Sequence, residues 1–497
     1  KGEYTLHCGS CHGETLAGMV VVPAMAGEVF AFRWGGKPAS HLMQHMRRMP
    51  PVQPGSLSDE SYANIFGYVM QYNGVIAGED SLPSDPEMLA ELSIPLGNGL
   101  VADTQLASFG QSSLLDGLTP INARMLDNPS ANDWLSWHRS NDSEGFSPLA
   151  QINKENVSTL KKVWSRELPP GNNNPTPLVH DGVMFFQTFP DTVMALDASS
   201  GELLWRYRHE PEVAPSRKMG VALYQDKVIV PTSDMRMLAL DAKTGRLVWS
   251  SKIAADLEVA TGMDRYDLRA APTIAGNKII QGVVGSLVSS GSFIFALDAD
   301  TGEEAWRFNT IARPGEPGGN SWNDLPLEQR SGGSVWIPGS YDPDLGLIYF
   351  GVAPTYDVQP LLNLVEKKGV TNDALYTNAT IALNVDTGKL IWHYQHLAND
   401  YWDLDWAFER QIMDIPVNGE MRKVVANVGK SGILEGLDAA TGEYLFSVDS
   451  GVQNVVAAIN PKTGKKTINP DTQPGNADSY LICPSAVGAR SWPPAGY

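Results

Sequence analysis

Two of the chain's three cysteines, Cys8 and Cys11, stand three apart, and His12 follows the second directly. Two thiols and an imidazole at that spacing admit three chemistries. A zinc site needs four ligands, and no second cysteine pair completes it. A thioredoxin-type redox pair does not require the histidine, and no βαβ pattern surrounds these residues. Covalent haem uses all three: the thiols add to the vinyl groups, and the next histidine, on the same helical turn, ligates iron. A methionine then supplies the other axial position. Met43, Met46 and Met49 all follow closely. Met49, directly before Pro50, is the best placed, because proline ends a helix and lets the preceding side chain project from a loop.

These residues need short helices to position them. The stretch "LSDESYANIFGYVMQYNG" reads as a capped amphipathic helix, with Ser58 as cap and Asn73-Gly74 as stop. Residues 1–77 thus resemble a small all-α class I cytochrome c domain. Residues 78–127, interrupted by Pro83, Pro86 and Pro95, read as a linker that wraps rather than as a third domain.

Beyond the linker a repeat begins. "ALDASSGELLW" ends at Trp205, "ALDAKTGRLVW" at Trp249, "ALDADTGEEAW" at Trp306, "ALNVDTGKLIW" at Trp392 and "GLDAATGEYLF" at Phe446. In each, glycine lies four residues after the Asp or Asn, and the aromatic lies eight after it. Apolar alternation before the Asp predicts one strand, Asp-x-x-Thr-Gly a tight turn, and the run to the aromatic a returning strand. A single hairpin cannot bury its own faces, so such units stack around an axis as propeller blades. Separations of 44, 57, 86 and 54 residues leave room for four strands per blade and for insertions.

This repeat is the tryptophan-docking motif, and residues 128–497 resemble the quinohaemoprotein alcohol dehydrogenase family. "WHRSNDSEGFSPLAQINKENVSTLKKVW" is similar to that family's lead into the propeller. "GGSVWIPGSYDPDLGLIYFG" is similar to its cofactor floor, and "NDYWDLDWAF" to its catalytic loop. A haem domain ahead of the propeller is similar to the order in polyvinyl alcohol dehydrogenases. The resemblance implies a mainly-β fold, an eight-bladed propeller, preceded by the cytochrome domain.

It also implies a site. Asp403 falls where the family keeps its catalytic base, and Asp405 where some members hold an extra metal ligand. Lys430 matches the cation that polarises pyrroloquinoline quinone (PQQ). Trp336 matches the tryptophan beneath the flat cofactor, and Ser334 a hydroxyl beside it. Arg217 and Arg269 fall near positions that contact its carboxylates. Three departures stand out. "VAPSRKMG" occupies the place of a paired-cysteine lid, and Leu287 and Pro354 occupy those of two metal ligands, leaving Asp403 and Asp405 to hold Ca2+. Five docking repeats fall short of eight blades, which implies a further C-terminal portion. Cys483 is left unpaired.

Composition limits the partners. The formal charge of −19 argues against a nucleic-acid partner and suits a basic external cytochrome c. The longest apolar run, Gly18 to Phe32, contains Pro23, Gly27 and Glu28 and is too short for a membrane span. The expected scheme passes electrons from an alcohol to PQQ, to haem c on Cys8 and Cys11 with His12 and Met49 on iron, and to the cytochrome. Both cofactors are handled outside the cytoplasmic membrane, so the periplasm is the expected compartment, any signal peptide having been removed before Lys1. The contrasting expectation is a propeller scaffold of outer-membrane assembly, on which a haem domain would be idle.

Overall fold

A computed structural model describes residues 1–13, 16, 25–26, 30, 34, 38–49, 54–73, 75, 86–92, 94, 106–108, 112–169, 171–254, 265–473 and 481–496. The N-terminal part is helical: α1 (Gly2–His7), α2 (Gly9–His12), α3 (Ala39–Met46), α4 (Asp59–Tyr72) and α5 (Pro86–Glu91). The capped helix forms as its sequence requires. Ser58 Oγ accepts from Ser61 N at 3.1 Å, Asn73 closes the C-terminus, and Tyr62, Ile65, Phe66, Val69 and Met70 make one buried stripe. That stripe meets Tyr4, Leu42, Met43, Met46 and Leu89 in an apolar core of its own.

The propeller is built from antiparallel four-stranded sheets, each a simple meander. Sheet one comprises β2 (Leu178–His180), β3 (Val183–Thr188), β4 (Thr192–Asp197) and β5 (Leu203–Arg208), with β1 (Leu106–Ser108) added to its β5 edge. Covering that edge removes a row of unpaired backbone groups. Sheets two to five run β6–β9 (222–252), β10–β13 (273–309), β14–β17 (340–395) and β18–β21 (411–449). A hairpin follows, β22 (Val456–Ile459) with β23 (Lys466–Ile468). Within the stretch read as a linker, Leu115, Leu118, Ile121 and Leu126 are buried in the core shared by sheets one to three.

The strand before each turn was expected to alternate. Instead β4, β8 (Arg236–Asp241), β12 (Phe293–Asp298) and β16 (Ala379–Asn384) are buried almost continuously. The reason is stacking: a third strand has a neighbouring sheet on both faces, so neither face meets water. Fourth strands with no strand on their outer edge are more exposed, as in β9 (Leu247–Lys252), whereas β5, edged by β1, keeps Leu204, Trp205 and Tyr207 buried.

The docking contacts run from each sheet to the next. Trp205 Nε1 donates to Ala242 O at 2.9 Å, Trp306 to Val385 O at 2.9 Å and Trp392 to Ala439 O at 3.0 Å. Each acceptor follows the Asp or Asn of the next turn. The rings also lie flat on turn glycines with positive φ: a Cβ on Gly388 would sit 2.5 Å from Trp306, and one on Gly442 2.5 Å from Trp392. Trp164 docks the same way, with Nε1 3.1 Å from Ala198 O and its ring over Gly201. Phe446 departs from the pattern. It covers Gly436 of its own sheet, and Tyr394 and Tyr444 cover Gly464 instead, because the next unit is a two-stranded hairpin rather than a full sheet.

Candidate functional site

The loop 399–408 connects β17 (Leu390–Gln395) to β18 (Gln411–Val417), and Lys430 follows β19 (Glu420–Val428). Asp403 takes a left-handed backbone, φ 61°, which turns the loop back so that it meets the lysine. Lys430 Nζ donates to Asp403 O at 2.8 Å and to Asp403 Oδ2 at 3.0 Å, and lies 3.5 Å from Asp405 Oδ2. The backbones are tied as well, Lys430 N to Asp405 O at 2.9 Å. Asp403 and Asp405 therefore converge on one cation. Among the described residues, Asp403 Oδ1 and Asp405 Oδ1 are both buried without a hydrogen-bond partner.

Charge is crowded here. Burial pushes the Asp405 carboxyl well above the usual range; Lys430 pulls it down, and Asp403 and Asp400 push it further up. Asp400, not anticipated from the sequence, is buried too. Desolvation raises it to about 6, although the Leu404 and Trp402 amides favour its charged form. Tyr356 is 40% exposed overall, yet burial around its phenol, and then the charges of Asp405, Asp403 and Asp400, hold that group far above its ordinary range.

Trp336 lies half-buried in an apolar cluster with Trp137, Met219 and Trp492, and meets the edge of Phe408 at 5.5 Å. Ser334 is fully buried; its hydroxyl accepts from Gly285 N at 3.1 Å and lies 3.3 Å from Ser286 Oγ, so it is engaged within the protein. Arg269 Nε donates to Asp267 Oδ2 at 2.8 Å. Burial opposes charge on Asp267, yet Lys218 and Arg269 outweigh it and keep the carboxyl below its ordinary range. Arg217 has no hydrogen bond or ion pair among the described residues. Burial, then the Arg269 charge, lowers its affinity for its proton.

These features fit an anionic planar quinone. Arg217, whose charge is disfavoured by burial and then by the Arg269 guanidinium, is suited to pair with a carboxylate, and a half-buried tryptophan offers an apolar face. The two unpartnered carboxylate oxygens fit a divalent cation, since hard cations take oxygen ligands. Leu287 and Pro354 bring no side-chain ligand to it.

In the helical part, Cys8 packs against the apolar core at the α1–α2 junction, and His12 ends α2. The Cys11 side chain lies outside the described residues. Met49 is 42% exposed, with its carbonyl accepting from Tyr62 OH at 2.8 Å, whereas Met43 and Met46 are buried in the core.

Sequence reasoning missed Asp400, Tyr356 and Trp492. Asp400 is the one that carried a signal, standing three residues before Asp403 in the loop already singled out.

The family described as "Glucose/ethanol/alcohol dehydrogenase, beta-propeller domain" (PQQ) matches residues 134–474. The chain is 35% identical to an alcohol dehydrogenase (quinone) dehydrogenase subunit of Gluconobacter oxydans, over 73% of this chain and 51% of that protein. It is 33% identical to quinohemoprotein alcohol dehydrogenase ADH-IIG of Pseudomonas putida, over 73% of this chain and 52% of the relative. The structure of that enzyme from strain HK5 superposes with a TM-score of 0.68 at 30% identity, covering 76% of this chain and 57% of the other. The quinohemoprotein alcohol dehydrogenase of Comamonas testosteroni gives 0.65 at 26%, covering 77% and 59%. The chain spans about half the length of the curated relatives it matches. With the docking clamps, the carboxylate–lysine centre and a match over most of its length, the chain belongs to the family of PQQ-dependent alcohol dehydrogenase β-propellers.

Proposed function

We propose that the protein oxidises an alcohol at the Asp403–Lys430 centre, with PQQ as two-electron acceptor and a haem c on Cys8 and Cys11 as the onward carrier. The observation that carries this reading is Asp403, held by Lys430 at its backbone carbonyl and at one carboxylate oxygen, with the other oxygen making no hydrogen bond among the described residues, in a chain of this family. Such a carboxylate takes the hydroxyl proton as the carbinol hydride departs. PQQ, when bound, supplies the quinone that accepts the hydride. The rest is done by the chain's own residues. Trp336 orients a flat ring, Arg217 and Arg269 hold carboxylates, and Lys430 sets a fixed positive charge where negative charge develops. Asp403 and Asp405 hold a divalent cation, Ca2+ in this reading.

The finer assignment is a secondary and polymeric alcohol such as polyvinyl alcohol, supported by the helical unit standing ahead of the propeller. The second reading is a dehydrogenase of small alcohols or aldehydes. An eight-bladed ring, His12 and Met49 on the haem iron, a periplasmic location and a basic external cytochrome c complete the proposal.

The test is reconstitution. Apoprotein with PQQ and Ca2+ is assayed with ethanol, 2-hexanol and polyvinyl alcohol. PQQ-dependent turnover is expected, and Asp403→Asn should lower it by about 10²- to 10⁴-fold while PQQ still binds. Turnover supported by a nicotinamide or flavin instead overturns the reading. Haem that leaves the protein in acid-acetone overturns its covalent attachment.

A further inference from the structure

Behind the candidate site runs a buried series of polar side chains that the proposed chemistry does not use. Arg410 Nε donates to Thr380 Oγ1 at 3.0 Å, and that hydroxyl lies 2.7 Å from His396 Nε2. His396 Nδ1 lies 2.7 Å from Glu435 Oε2, while Lys466 Nζ and Tyr394 OH donate to Glu435 Oε1 at 2.6 and 3.1 Å. One proton arrangement satisfies every member. The Thr380 hydroxyl points at Nε2, neutral His396 donates from Nδ1, and Glu435 accepts three bonds. His396, Glu435 and Lys466 are 1%, 0% and 4% exposed. Well-packed apolar residues often serve stability as well as a buried ion pair does, so stability alone does not account for this one.

Its contacts lead to the catalytic loop. The His396 ring lies parallel to Trp406, 1° apart with centroids at 5.4 Å, and Lys466 Nζ is 5.2 Å from the Trp406 ring centre. Gly429 packs so closely on Trp406 that a Cβ there would fall 2.3 Å from the ring. Trp406 adjoins Asp405 and Gly429 adjoins Lys430, so the seating of this ring sets how the two segments meet. Asn378 adds a second tie, accepting from Trp406 N at 2.8 Å and donating to Asp400 Oδ2 at 2.9 Å.

We propose that Glu435 is a positioning residue: by fixing the His396 ring and the Lys466 ammonium against Trp406, it sets the approach of Asp403 to Lys430. The inference rests on the reading of Asp403 as the base.

Glu435→Gln, Lys466→Gln and the double variant separate positioning from stability. Each single variant strands a buried charge and lowers the melting temperature, and the double variant, lacking both charges, regains most of it. Positioning predicts that this stable double variant binds PQQ within about threefold of wild type by tryptophan fluorescence, yet loses about tenfold in kcat with KM within about twofold. Wild-type kcat in the stable double variant overturns the proposal. Should that variant not fold, His396→Gln, which leaves Glu435 and Lys466 paired, is expected to show the same loss, and wild-type kcat there overturns it equally. If loaded wild-type protein oxidises no alcohol, the reading of Asp403 fails on its own account. Positioning is then read from a crystal structure of the folded variant without cofactor. A Lys430–Asp403 separation beyond hydrogen-bond distance is expected, and an unchanged 3.0 Å overturns the proposal.

Discussion

Lys430 holds Asp403 by backbone and side chain together, so its removal has two effects. The loop loses its anchor, and the facing carboxylates lose the charge that keeps Asp405 from rising further. Lys430→Ala should therefore move the acid limb of kcat/KM to higher pH, with partial recovery at high Ca2+, measured as a pH–rate profile. Two other buried groups oppose each other across acid pH. Burial lowers His396 from 6.5 to about 4, so its contribution to stability is lost as pH falls through that window. Burial raises Asp400 from 3.8 to about 6, so its contribution is present at low pH and lost as pH rises toward 6. Each is worth roughly 3 kcal/mol, and between these limits the two contributions offset one another. His396→Gln should uncover stability that rises on acidification, and Asp400→Asn stability that falls, by urea titration at a series of pH values. None of this balance was legible in the sequence, because burial decides it and Asp400 is one of 56 acidic residues.

The docking clamp is where sequence and element correspond most directly. Asp-x-x-Thr-Gly is a local turn, and its aromatic repeats at a constant offset, so the four docking tryptophans Trp205, Trp249, Trp306 and Trp392 announce themselves, while Phe446 carries the same signal without docking. Trp164 does not, because no such turn precedes it; only the partner, Gly201, identifies it. Gly388→Ala should cost about 2–4 kcal/mol, since it forces a left-handed backbone on alanine and drives a methyl into Trp306. Trp392→Phe keeps a ring but drops the bond to Ala439 O, and should cost about 1–3 kcal/mol by denaturant unfolding. The Glu435 network was invisible for a different reason: its members come from residues 380 to 466 and meet only once sheets four and five and the hairpin pack.

At the scale of the molecule, the net charge of −19 bears on electron delivery. The proposed transfer to a basic cytochrome c should slow as ionic strength rises, and transfer to ferricyanide, an anion, should quicken; stopped-flow rates in a salt series check both. The clamp has a consequence for how this scaffold diversifies. In sheets one to four it ties the fourth strand to one turn of the next sheet, leaving the other connections outside it. The 86-residue interval from Asp298 to Asn384 places its extra length between β13 and β14, and between β15 and β16, outside any clamp. The second of these segments carries Tyr356, whose phenol feels the charges of Asp405, Asp403 and Asp400. Heritable change in that segment can thus remodel the surroundings of the centre without disturbing the clamps, so substrate range and foldedness are free to evolve at separate rates.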